Sequence, residues 1–211
     1  YASFFVKETP SVKYNDLNAA LEAAASSSSK TVVVDPAYNN TLRCNGGYLR
    51  TGTYTIPDGY TLLVPGDDAY TALAHNQNPT ASQWAESGKT LTTRNYCKLV
   101  VEKETIINVD GVLCVYAQWN YATATATSMK PGNYGWIEME DNSLININEA
   151  TLHALGYITN SPATTITGEN INSVGRVVAN DGAIVYEIFG DFWGGGADPT
   201  LNARCVWNDD N

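Results

Sequence analysis

Charge is scarce in this sequence, and positive charge is scarcest. Only 16% of its 211 residues are Asp, Glu, Lys or Arg, and 12 Lys and Arg stand against 22 Asp and Glu, for a formal net charge of −10. Nucleic acids and anionic bilayers are bound through basic faces that displace counterions or meet headgroups, so neither is an expected partner. No apolar run approaches the ~20 residues needed to cross a bilayer as a helix, and membrane insertion is not expected. A charged segment leading into an apolar h-region is also missing. With Tyr1 rather than Met in first place, the expectation is a mature, exported chain, secreted or displayed at the cell surface. Cysteine is limited to Cys44, Cys97, Cys114 and Cys205, with no CxxC pair and no Cys/His cluster, which argues against zinc and thioredoxin-type chemistry. Nothing has the spacing of a calcium loop either, so the expectation is no cofactor and no metal.

What is present is a 44% hydrophobic composition and a neutral polar remainder rich in Ser, Thr, Asn and Gly. Such a chain can bury a core while keeping an uncharged surface, which suits an extracellular protein. Its length fits one domain. Residues 1–13 read as an extended, aromatic N-terminal strand cut off by Pro10, and residues 14–211 as the domain proper. The strand has two readings: pairing within its own domain, or β-augmentation of a neighbouring subunit through Phe4, Phe5 and Val6. A helix is expected over about 16–25, with Asn15-Asp16 at its N-cap, Leu17, Ala20, Leu21 and Ala24 at helical spacing, and Ser26 to Ser29 ending it.

After that helix the sequence turns to short Val/Ile/Thr/Tyr runs bounded by Gly, Asn, Asp and Pro, beginning with Lys30-Thr-Val-Val-Val34. The runs form a weak repeat. Tyr54-Thr-Ile56, Val100-Val101, Ile137-Glu-Met139 and Val177-Val-Ala179 each precede a polar triplet, and each triplet precedes a second strand. Aligned in this way, Ile106, Leu144 and Ile184 share a position, as do Ile107, Ile145 and Val185, and Cys114 falls opposite Leu152. Repeats of 20–50 residues signal solenoids, propellers or arrays. The expected architecture is all-β, a right-handed parallel β-solenoid with the helix as its N-terminal cap; handedness follows from the general preference of parallel connections. A propeller or sandwich is the competing reading. The spacing of ~38–40 residues exceeds one bare coil, so either a loop protrudes from each winding, as over 118–134 and 159–173, or a further coil lies between.

The helix followed by a Val run resembles the opening of pectate-lyase-like parallel β-helices. The segments Tyr54-Thr-Ile-Pro-Asp-Gly-Tyr-Thr-Leu-Leu-Val-Pro65, Gly156-Tyr-Ile158 and Gly182-Ala-Ile-Val-Tyr-Glu187, with Asp191-Phe-Trp-Gly-Gly195, resemble modules in large surface proteins of gut Firmicutes. The first resemblance implies a parallel β-helix, and the second a surface location rather than an activity. Neither accounts for the N-terminal strand, Cys205 or the acidic tail from Asn208 to Asn211.

Pectinolytic enzymes on β-helices use an acidic calcium cluster with a basic residue, or Asp pairs with flanking His and Arg. Neither pattern stands out here. Asp67-Asp68 sits in a Pro-Gly turn, and His75 and His153 have no nucleophile motif beside them. The sequence therefore points to a protein that is not an enzyme: an adhesive or filament-forming structural subunit whose partner is itself. The alternatives are a carbohydrate-binding module or a polysaccharide lyase or hydrolase. Glycans would stack on Trp119, Tyr121, Tyr134 and Trp136, although aromatics more often serve the core. Cys44 and Cys205 are the candidates for a disulfide crosslink, within the chain or between subunits, while Cys97 and Cys114 are buried thiols or a pair.

Overall fold

The computed structural model describes residues 3–36, 47–66, 95–119, 131–161, 169, 173–187 and 205–207; for 95–96, 118–119, 131–133, 187 and 205–207 it describes the backbone alone. In chain order the elements are β1 (Phe4–Val6), α1 (Leu17–Ala24), β2 (Thr31–Val34), β3 (Gly47–Leu49), β4 (Thr53–Ile56), β5 (Thr61–Val64), β6 (Asn95–Val101), β7 (Ile106–Val109) and β8 (Val112–Val115). They continue with β9 (Ala117–Trp119), β10 (Pro131–Met139), β11 (Leu144–Ile147), β12 (Thr151–Ala154), β13 (Tyr157–Asn160), β14 (Arg176–Ala179), β15 (Ile184–Glu187) and β16 (Cys205–Trp207). Among the described residues the fold is all-β with one helix.

The strands form three sheets, and the chain visits them in rotation. Sheet 1 runs β1-β2-β5-β8-β12-β15, sheet 2 β13-β10-β6-β3 and sheet 3 β16-β14-β11-β7-β4. All neighbours are parallel except β1 on β2 and β9 on β10. Alternation along each strand sends one set of side chains inward, and strict register stacks like on like. Leu62, Leu113 and Leu152 follow one another in sheet 1, Leu99, Ile137 and Ile158 in sheet 2, and Ile107 and Ile145 in sheet 3. All lie at 0–1% exposure in one continuous core. Each such side chain contributes roughly 1.5–3 kcal/mol by burial.

At the N-terminal end, Asp16 caps α1 by accepting from the Asn18 amide at 3.1 Å. The helix packs on β1, β2 and β4 and adds Leu17, Ala20, Leu21 and Ala24 to the core. Of the two readings of the N-terminal strand, the single chain adopts the one in cis. β1 pairs with β2, Phe4 opposite Val34 and Val6 opposite Val32, and Phe4, Phe5 and Val6 are all buried. Its outer edge is bridged in turn by Tyr14, whose amide donates to the Phe4 carbonyl at 2.8 Å. Deleting residues 1–9 is thus expected to open this end of the core and lower the melting temperature, with loss of cooperative thermal unfolding as the readout.

The repeat is real, but its outer units lie one strand out of step with the alignment of their polar triplets, and the turns explain why. The amides of Thr105 and Ser143 donate to the carbonyls of Glu102 and Glu140 at 3.2 Å, closing turns between sheets 2 and 3. Tyr60 and Ala183 donate to Pro57 and Asn180 at 3.0 Å, closing turns between sheets 3 and 1. In all four the third residue of the triplet has positive φ: Glu104 at 62°, Asn142 at 58°, Gly59 at 82° and Gly182 at 79°. One local turn thus serves two different corners. Ile184 and Val185 consequently stack on Thr151 and Leu152 in sheet 1, while Arg176 and Val177 follow Leu144 and Ile145 in sheet 3. No hidden coil separates the units: Asn146 Nδ2 donates directly to Asn108 Oδ1 at 3.0 Å across 38 positions, and Asn180 Nδ2 to Asn148 Oδ1 at 3.0 Å across 32.

Candidate functional site

Register builds a rail on the outer face of sheet 1. Phe5, Val33, Leu63, Cys114, His153 and Tyr186 lie opposite one another from β1 to β15. The first four are buried, His153 is half-buried, and at the last strand the rail reaches solvent: Tyr186 is 52% and Ile184 51% exposed. At the opposite end the Lys13 ammonium lies 4.3 Å from the Phe5 ring centroid and 3.1 Å from the Asp35 carboxylate. The His153 and Tyr186 rings stack with centroids 5.0 Å apart and planes 13° from parallel.

This register corrects the placement of Cys114, which lies opposite His153, while Leu113 takes the place opposite Leu152. A one-residue shift moves a side chain to the other face. Cys114 is buried in the outer cluster with Leu63 and Tyr116, and burial pushes its thiol up to about 12. The thiols of Cys97 and Cys114 are both buried and not joined to each other. Because the thiolate is the reactive form, Cys114 is expected to resist alkylation in the folded protein at pH 8 and to be labelled after denaturation, as read by peptide mass spectrometry.

Burial also lowers the His153 pKa. A depressed folded pKa means that the unfolded chain binds the proton more readily, so stability contributed above the unfolded value, about 6.5, is lost as pH falls toward the folded value. His153→Gln is expected to flatten the melting temperature between pH 7 and 5; an unchanged slope would contradict this assignment.

On the outer face of sheet 2, Trp136 is half-buried; its Nε1 donates to Thr159 Oγ1 at 2.7 Å. The Lys98 ammonium lies 4.4 Å from the Trp136 ring centroid and 3.0 Å from Glu138 Oε2. Tyr134 is 4% exposed and meets Tyr157 edge-on at 4.9 Å. Of the residues expected to stack on glycans, Tyr134 is packed in a cluster with Tyr157 and Leu155, and one face of Trp136 carries a cation. The Trp119 backbone pairs with Pro131 on the same sheet, so the structure does bring strand β9 beside the strand of Trp136. The Trp119 side chain, Tyr121, Cys44, Asp67, Asp68 and His75 lie outside the described residues, as does the Cys205 side chain, whose backbone pairs with Val177.

A cleft of about 290 Å³ opens where the helix meets the first strands, lined by Asn15, Asp16, Tyr48, Arg50 and Tyr54, with Phe4, Leu17 and Leu49 behind. Sequence reasoning missed it, because its walls come from four elements, β1, α1, β3 and β4, with no common motif. Among the described residues no group of three or more His, Cys, Asp and Glu could hold a metal ion, and no helix is long and apolar enough to cross a membrane. No family model matches the chain, and neither a curated protein nor a solved structure matches it.

Proposed function

We propose that the chain is a right-handed β-solenoid acting outside the cell as a non-enzymatic structural subunit, which joins copies of itself into a filament or adhesive layer. The rail carries this reading. It is buried from β1 to β8, half-buried at His153 and exposed at β15, whose partner among the described strands is β12 alone. A parallel stack can be extended in register by any strand that offers main-chain groups and an apolar row, and on this reading a second copy supplies it. Contact between the last strand of one copy and the first coil of the next is heterologous, and heterologous contacts that do not close produce open filaments. Right-handedness is supported by the preference of parallel crossovers, and the extracellular setting by the scarcity of charge. The likeness to pectate-lyase-like helices and to Firmicutes surface modules rests on the residues quoted for it and adds a setting, not an activity.

Sedimentation velocity on the wild-type protein and on Ile184→Lys/Tyr186→Lys tests this. The wild type is expected to form concentration-dependent oligomers. The double variant should remain monomeric with an unchanged far-ultraviolet spectrum, since both side chains are more than half exposed. Oligomers that persist in the variant would remove β15 as the joint.

A further inference from the structure

The cleft at the helix end has the composition of a ligand site, and its charges narrow the ligand. Asp16 and Arg50 both line it, so it carries one acid and one base. The N-terminal end of α1 would ordinarily favour an anion, but the Asp16 carboxylate already occupies that place as N-cap and accepts from the Asn18 amide. An incoming anion would meet that carboxylate. A cation would meet the Arg50 guanidinium. The apolar lining residues Phe4, Leu17 and Leu49 are almost fully buried, at 0–2% exposure, which disfavours a lipophilic guest. What fits is a neutral molecule with several hydroxyls and an apolar face.

We propose that this cleft binds a neutral saccharide, with one sugar ring seated against the half-buried Tyr48 side chain and hydrogen-bonded by Asn15, Asp16 and Arg50. The planar amide, carboxylate and guanidinium groups supply paired acceptors and donors that match vicinal hydroxyls. Tyrosine offers an apolar ring face together with a polar tip. Tyr54 is 9% exposed and its hydroxyl donates to the Arg50 carbonyl at 2.8 Å, so this part of the lining is fixed before any ligand arrives. A volume of about 290 Å³ lies at the lower limit of small-molecule sites, ~300–1,000 Å³, and suits one ring rather than an extended chain. The site lies at the helix-capped end of the stack, remote in the strand order from β15, and the inference does not depend on self-assembly.

The test is a nuclear magnetic resonance titration of the intact protein with glucose, galactose, mannose and N-acetylglucosamine, and with glucuronate and inorganic phosphate as charged probes. Arg50→Gln and Tyr48→Ala are run alongside. The Arg50 carbonyl contact to Tyr54 belongs to the backbone and survives substitution, so Arg50→Gln is expected to fold normally. At least one neutral sugar should bind with a Kd on the order of 1–10 mM. It should shift the amides of residues 15–17 and 48–50, and both variants should weaken it about tenfold or more. Absence of binding by all four sugars, binding that both variants leave unchanged, or tighter binding of glucuronate or phosphate would each overturn the proposal.

Discussion

Gly111→Ala is expected to lower the unfolding free energy by on the order of 3 kcal/mol, the upper end of overpacking costs. Gly111 follows β7, where the chain passes beneath the Pro57–Tyr60 turn of the preceding coil, and a β-carbon there would run into the carbonyl oxygens of Pro57 and Tyr60. Neither oxygen is free to retreat. Pro57 O accepts from the Tyr60 amide at 3.0 Å, and Tyr60 O from the Val112 amide at 2.9 Å, so relief breaks the turn or the ladder. Gly59→Ala is the control: its φ is +82°, but a β-carbon meets nothing within 4 Å, and the cost should be the left-handed penalty alone, about 1 kcal/mol. Equal effects in urea denaturation would mean that the coils are not this close.

The second large effect separates two adjacent residues. Leu113→Ala should cost roughly 3–4 kcal/mol, because Leu113 is 0% exposed between Leu62 and Leu152 and its loss leaves a cavity that stacked neighbours cannot fill. Cys114→Ala, on the opposite face in the smaller outer cluster, should cost about 1 kcal/mol, the scale of one small buried group. Reversal of that order would restore the sequence alignment in which Cys114, not Leu113, faces Leu152.

That contrast also marks how far the sequence could be read. The helix was legible because Asp16 offers a cap and Leu17, Ala20, Leu21 and Ala24 share one face, and those four residues are the buried ones. The strands were legible from period-two alternation, which becomes the buried and half-buried pattern of β7, β11 and β14. Register was not. The polar triplets signal a turn and not which corner it occupies, and Glu104 and Gly59 adopt the same left-handed bend at different corners. β1 looked detached because Pro10 interrupts the sequence after it, yet its partner, β2, lies beyond the helix, and local pattern carries no information about such a contact.

The candidate sites were less legible still. Trp136 and Tyr134 flank the 118–134 insert in sequence, but composition cannot show that Lys98, far away in sequence, comes to lie over the Trp136 ring, or that Tyr157 meets Tyr134 edge-on. The rail was hidden for the same reason. Phe5, Val33, Leu63, Cys114, His153 and Tyr186 form a row only after six strands are set in register, and the irregular spacing between coils conceals their common face.

Negative-stain electron microscopy of the purified protein, with and without reductant, tests the central claim most directly. The account predicts end-to-end assemblies one subunit wide in both conditions, because the proposed joint is the apolar end of sheet 1 and not a disulfide. Isolated monomers in both conditions, at concentrations where the protein remains soluble, would contradict it.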